Sequence, residues 1–143
     1  MFEFLKFKKA GIDSLYSEKN LPALSGYALY VGQALKVTGG ALCYADSADT
    51  VYAISNVSAA SSVVTASYYP DVFPVNDNQI WRASIATAAT AATLAGTKIN
   101  LSTASVGTAV NAAAAGTGLL LYGISTASTP STSAAYVIFA PAI

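Results

Sequence analysis

The chain has 143 residues, of which 10% are charged, with seven acidic side chains, seven basic side chains, one cysteine and no histidine. Soluble domains average about 25% charged residues, so this chain has little surface charge. The composition excludes an intrachain disulfide and the catalytic triads and zinc sites that need histidine, and it offers no net charge to attract nucleic acid.

Residues 1–20 are predicted to form an extended arm before the main body. They hold seven of the fourteen charged residues, together with Phe2, Phe4 and Phe7. The arm could order on a partner, form a short helix, which Gly11 disfavours, or be a frayed terminus with anchoring aromatic residues. Because charged residues interrupt the apolar ones, no secretory signal is predicted.

Residues 21–143 are predicted to form a single β domain. Gly39-Gly40 is typical of a hairpin turn between two short strands, LKVT and ALCYA. Residues favoured in strands recur in the later segments, whereas the alanine- and threonine-rich stretch 86–95 is predicted to be a loop. The later predicted strands are TVYAISNVS, SVVTASYY, QIWRASIA, TKINLS, GLLLYGIS and AAYVIFAPAI. This pattern predicts an all-β fold, either a small β-barrel or a β-sandwich.

An internal pseudo-repeat is also predicted. The stretch Gly32–Val37 has the form G-x-x-L-x-V and is followed by YAIS at residues 52–55. The stretch Gly96–Leu101 has the form G-x-x-I-x-L and is followed by YGIS at residues 122–125. Coincidence in a chain rich in alanine, serine, threonine and glycine is the alternative explanation.

No catalytic, cofactor or metal site is predicted. The two candidate carboxylate pairs are Asp46 with Asp49 and Asp71 with Asp77, and both lie in sequences typical of turns, where aspartate caps the backbone. A calcium site would need more carboxylates than lie near either pair. Cys43 has no histidine to activate it and is interpreted as a small core residue.

Neither a membrane nor a nucleic acid is predicted as a partner. The stretch 104–127 has no charged residue, but its serine, threonine, asparagine and glycine content is too polar for a membrane span. No basic stripe with interleaved aromatic residues occurs. The chain does have nine tyrosines, a residue enriched at protein interfaces. Contacts with other chains are therefore expected at several of them: Tyr27, Tyr30, Tyr68 and Tyr69.

The order of the motifs resembles the decoration or auxiliary head proteins of tailed phages. The likeness runs through GQALKVTGGALCYADSADTVYAISN, PVNDNQIWRASI, LAGTKINLS, GLLLYGIS and AAYVIFAP, over residues 26–143. It implies a β-rich subunit, made in the host cytoplasm, that sits on the capsid exterior and stabilises the lattice of the major capsid protein. This chain departs from the pattern in its charged amino-terminal arm and in its longer alanine- and threonine-rich segment.

From the resemblance and the composition together, we expect a structural virion protein without enzyme activity. Its expected partners are the major capsid protein and copies of itself in a homo-oligomer, with a trimer as one option. The residues expected to contact the capsid are Phe2, Phe4, Phe7, Tyr27 and Tyr30. The alternatives are another virion component, such as a head-fibre base or tail protein, and a glycan-binding adhesin module that stacks sugars on tyrosines and Trp81.

Overall fold

The computed structural model describes residues 1–9, 11, 14–87, 98–103, 105–112, 116, 119–124 and 135–139. This part of the chain contains no helix and forms ten β-strands in two sheets. The strands are β1 (Phe2–Phe7), β2 (Ala34–Thr38), β3 (Ala41–Tyr44), β4 (Ala53–Ser55), β5 (Val72–Pro74), β6 (Gln79–Thr87), β7 (Lys98–Leu101), β8 (Ala109–Asn111), β9 (Leu119–Ile124) and β10 (Ala135–Phe139).

The smaller sheet has four strands in the order β3-β2-β4-β5, all antiparallel. β2 and β3 form the hairpin predicted at Gly39-Gly40, with Thr38 opposite Ala41. Both edges of this sheet are covered by the chain that precedes β2. Leu24 N donates to Leu42 O of β3 (2.7 Å), and the backbone of Glu18 pairs with Val72 of β5.

The larger sheet has six strands in the order β1-β6-β10-β9-β7-β8. Neighbours in this order are antiparallel, and β8 also pairs in parallel with the second half of β6, where Ser84 lies opposite Ala109. β6 is therefore the central element of the sheet, since it pairs with β1, β10 and β8. The loop predicted for residues 86–95 is wrong at Ala86 and Thr87, which belong to β6, and residues 88–95 lie outside the described part.

Strand alternation gives the small sheet two buried faces. On β2, Ala34 joins the core shared with the six-stranded sheet, whereas the next residue, Leu35, joins a second core on the opposite face. The shared core, called the inner core here, is built from both sheets. It contains Phe2, Ala34, Ala45, Val51, Ile54, Trp81, Ala83, Ile99, Leu101, Val110, Leu119 and Val137. The all-β prediction is confirmed, and the two sheets are arranged like a sandwich.

The start of the predicted arm is a strand of the larger sheet. Phe2 lies opposite Ala83 of β6 and is 2% exposed, so its ring is part of the inner core. The pairing shifts register between Phe4 and Lys6, a β-bulge that leaves Leu5 46% exposed. The helix considered for this segment is wrong for residues 2–7, which form β1 and pair with β6.

The two sheets contain runs of strands with the same order. β3-β2-β4-β5 in the small sheet matches β8-β7-β9-β10 in the large one, strand for strand along the chain. The pairings differ in register. Leu35 of β2 lies opposite Ala53, whereas its counterpart Ile99 in β7 lies opposite Leu119 rather than Gly123. The matching order gives the predicted repeat a topological counterpart, and the repeat itself stays a prediction.

Candidate interaction surface

Two loop segments, residues 21–31 and 56–70, run antiparallel along the outer face of the small sheet. Their backbones are joined at three points. Ala23 N donates to Tyr68 O (2.8 Å), Gly26 N donates to Val64 O (3.1 Å), and Leu29 and Ala59 bond to each other in both directions. These bonds satisfy the main chain where regular strand pairing is absent, and the strand predicted for SVVTASYY is therefore wrong. We call the two joined segments the loop layer.

The inward side chains of the loop layer cover the second core. Ala23, Leu29 and Val64 are each at most 2% exposed and pack against the small sheet. The sheet contributes Leu35, Leu42, Ala53 and Val72 to this core. The layer is therefore held by apolar burial as well as by hydrogen bonds, and it is part of the folded body.

The outward side of the loop layer carries large apolar and aromatic side chains and no charge. No Asp, Glu, Lys or Arg occurs in residues 21–35 or in residues 50–70. Five side chains of the layer are between 42% and 55% exposed: Tyr27, Tyr30, Val31, Val63 and Tyr69. We call these five residues the uncharged face. Monomeric proteins expose single apolar residues commonly, but clusters of them more often mark a contact site.

A shallow groove of about 450 Å³ opens beside Tyr30. Leu29 and Tyr30 line it from one segment and Ser58 and Ala59 from the other, together with Ala28, Ala60 and Ser61. Its walls are apolar with serine hydroxyls and carry no charge, so it favours a neutral side chain over an ion.

Gln33 fixes the end of the loop layer to the rest of the molecule. It is 1% exposed, and its Oε1 accepts a hydrogen bond from Tyr30 N at 3.2 Å. Its Nε2 donates to Val106 O at 2.7 Å, in the turn before β8. The side-chain amide of Gln33 therefore links the backbone of Tyr30 to the turn before β8, and both ends of this buried amide are hydrogen-bonded. The position of Tyr30 is set in this way by the packing of the two sheets.

The five residues expected to contact the capsid lie in two places. Tyr27 and Tyr30 belong to the uncharged face, and Tyr27 packs edge-on against Tyr44 at 5.7 Å between ring centroids. Phe2 lies in the inner core. Phe4 and Phe7 are half-buried on β1, 4.9 Å apart between centroids. A contact through Phe2 would require β1 to leave the sheet, whereas the two tyrosines are accessible as the chain stands.

Trp81 is not accessible, and the prediction that it stacks sugars is wrong. Its side chain is 1% exposed and packs edge-on against Phe4 at 5.5 Å between centroids. Its Nε1 donates to Gln79 Oε1 at 3.1 Å. The ring faces the inner core because position 81 is one of the buried positions that alternate along β6.

Asp49 and Asp71, one from each candidate acidic pair, accept hydrogen bonds from other segments of the chain. Asp49 Oδ2 accepts hydrogen bonds from Lys36 Nζ (2.7 Å) and from Asp46 N (3.0 Å). Burial by itself raises the pKa of the Asp49 carboxyl, but these hydrogen bonds outweigh it and hold the pKa below its usual value. Asp71 accepts from the Asn56 side-chain amide at 2.8 Å. Within the described ranges, no group of three or more metal-ligating side chains occurs.

Glu18 ties the chain before the loop layer to the small sheet. Tyr52 OH donates to Glu18 Oε1 at 2.7 Å, and Asn20 Nδ2 donates to Glu18 Oε2 at 2.9 Å. The hydrogen bond to Glu18, together with burial and the nearby negative charge, raises the pKa of Tyr52 to about 12. This tyrosine stays protonated near neutral pH and acts as a hydrogen-bond donor to a carboxylate.

Sequence reasoning identified Tyr27, Tyr30 and Tyr69 but missed Val31, Val63 and the role of Gln33. Tyr68, also expected at a contact, is partly buried against the second core. The two long runs without charge, residues 21–35 and 50–70, were a signal for this surface. That the two runs lie side by side could be read only from the fold. No helix in the described part of the chain has the length and apolar character needed to cross a membrane. No protein-family model, curated protein or solved structure matches this chain significantly.

Proposed function

We propose that this chain is a structural virion protein, a decoration or auxiliary subunit that binds the outside of a tailed-phage head and stabilises its lattice. The observation that carries this proposal is a surface suited to assembly with other protein chains. The uncharged face exposes three tyrosines and two valines on a layer held by backbone hydrogen bonds. Tyrosine contributes large contact area with little loss of side-chain entropy, which suits protein–protein contacts.

The rigid body supports the same role. A subunit that reinforces a shell must resist deformation. The small sheet is packed against a core on each face, and densely packed cores have low compressibility. Many copies on a lattice also gain strength from multivalency, so that modest contacts per copy suffice. The subunit requires no reaction chemistry. Its partners under this proposal are the major capsid protein and further copies of itself.

Co-sedimentation tests the proposal. The purified protein is mixed with phage heads that lack it and is separated on a density gradient. We expect it to band with the heads and to saturate at a fixed ratio to the major capsid protein. A protein that remains at the top of the gradient at every concentration would reject the capsid role, and co-sedimentation with tails alone would favour the other virion component.

A matched pair of variants assigns the capsid contact. The variant Phe7→Ser changes a half-buried ring on β1, one of the predicted capsid contacts, and should lower head occupancy several-fold. The control Val106→Ser changes a side chain that is 41% exposed in the turn before β8 and should leave occupancy unchanged. Equal occupancy for both variants would remove Phe7 from the contact, provided that circular dichroism shows both to be folded.

A further inference from the structure

We propose that the uncharged face is the surface through which two copies of this chain associate. This inference builds on the proposed function by naming the partner of that surface. It assigns Tyr27 and Tyr30 to contact between copies and leaves the β1 side of the molecule for the shell. It can be tested without phage particles.

Charge is the first argument for a second copy as the occupant. In a two-fold contact each surface meets itself, so a charged residue near the axis comes close to the same charge on its partner. Residues 21–35 and 50–70 contain no such residue, and charges resume just outside at Lys36, Asp49 and Asp71. A neutral surface is electrically compatible with its own copy. A polyanion, an acidic peptide or an anionic lipid surface would instead need basic residues here.

Charge elsewhere on the molecule singles out this face. Glu3 and Arg82, which are 3.3 Å apart and more than half exposed, mark the side of β1 and β6 as charged. Lys36 and Asp49 lie near the β2–β3 hairpin, with about a third of each side chain exposed. Charged side chains are therefore present on other parts of the molecule but absent from the two segments of the loop layer.

Shape is the second argument. The groove beside Tyr30 is concave and apolar, and Tyr30 itself projects next to it with 48% exposure. Under two-fold symmetry, an aromatic side chain of each copy can enter the groove of the other, so that one groove and one ring per chain form two equivalent contacts. Buried aromatic side chains near the centre of an interface commonly contribute most of its binding energy.

Rigidity is the third argument. The loop layer is joined internally at Ala23–Tyr68, Gly26–Val64 and Leu29–Ala59, and Gln33 anchors its end. A preorganised surface loses little conformational entropy on binding, which favours association by a patch of modest size.

The test measures molar mass by multi-angle light scattering after size-exclusion chromatography, over about a hundredfold range of protein concentration. We expect the wild-type chain to be a dimer. The variant Tyr30→Asp places two carboxylates in one contact and should raise the dissociation constant about tenfold or more. The control Leu5→Asp adds the same charge at a residue that is 46% exposed on β1 of the larger sheet and should leave the dimer intact.

Ionic strength is a second readout. The dissociation constant should change little between low and high salt, because no Asp, Glu, Lys or Arg side chain lies in the contact. A wild-type chain that is monomeric at all concentrations would overturn the inference. So would a trimer, a dimer disrupted equally by both aspartate variants, or a strongly salt-dependent dimer. If Tyr30→Asp does not fold, as judged by circular dichroism, Tyr30→Ser replaces it with the same expected direction.

The outcome is independent of the capsid assay. A monomer that still bands with phage heads would reject the two-fold contact and retain the proposed function. A dimer that never binds heads would retain the contact and reject the capsid role.

Discussion

At the scale of single residues, polar side chains hold the loops to the sheets. Glu18 accepts hydrogen bonds from Tyr52 and Asn20, and Gln33 connects the loop layer to the turn before β8. The Tyr52–Glu18 and Gln33–Val106 hydrogen bonds each join segments that are far apart in sequence. Each of these hydrogen bonds satisfies a polar group that would be costly to bury without a partner. Each thereby favours one position of the loop that carries it.

The variant Tyr52→Phe tests the Glu18 contact. Removing the hydroxyl should lower the free energy of unfolding by about 1 kcal/mol near neutral pH, a value reduced for solvent screening because the pair is only partly buried. Urea denaturation of the two proteins measures the difference. A variant as stable as the wild type at neutral pH would show that this hydrogen bond contributes nothing.

The same pair predicts a pH dependence at high pH. The folded-state pKa of Tyr52 is about 12, above the ordinary tyrosine value of 10.0. A group whose pKa is raised on folding adds stability that is complete below the unfolded pKa and is lost as pH rises through the folded pKa. The stability difference between wild type and Tyr52→Phe should therefore shrink between about pH 10 and pH 12. A difference that stays constant over this window would contradict the assignment.

At the scale of elements, the charged segment at the start of the chain forms a strand, β1, because it pairs with β6. Glu3 and Lys6 lie on an edge strand, and its bulge at Leu5 interrupts regular pairing. Charges and bulges are devices by which edge strands avoid pairing with other chains. β1 thus combines a core residue, Phe2, with an edge that resists sheet extension.

The deletion of residues 1–20, which the arm prediction suggests as a capsid-binding test, would also remove Phe2 from the inner core. A better test of β1 is Phe2→Ala, which should lower the free energy of unfolding by about 3–5 kcal/mol, the usual cost of removing a buried phenylalanine ring. The control Leu5→Ala changes an exposed residue of the same strand and should cost under about 1 kcal/mol. Equal, small effects of both changes in denaturant unfolding would indicate a free arm rather than a docked strand.

At the scale of the whole molecule, the small sheet couples two cores. Adjacent residues of β2, Ala34 and Leu35, point into the inner core and the second core, and β4 does the same with Ile54 and Ala53. Because each strand is shared, neither core can lose its packing without disturbing the other. The loop layer is therefore expected to unfold together with the sheets.

The variant Leu35→Ala tests this coupling. It removes a fully buried side chain from the second core and should cost about 2–5 kcal/mol. Trp81 is the one tryptophan in the chain and reports on the inner core. Its fluorescence and the far-ultraviolet circular dichroism should shift to the same lower denaturant midpoint. An unchanged fluorescence midpoint with a shifted circular dichroism midpoint would show that the cores unfold separately.

The sequence by itself determined the all-β class, the β2–β3 hairpin and the tyrosines of the uncharged face, because these follow from local patterns. Strand propensity, the Gly39-Gly40 turn and charge-free runs are all properties of neighbouring residues. Only the tertiary structure decided where Phe2, Trp81 and the two loop segments lie. Their positions depend on pairing between residues up to about eighty apart, as between Phe2 and Ala83, and no local pattern encodes such a partner.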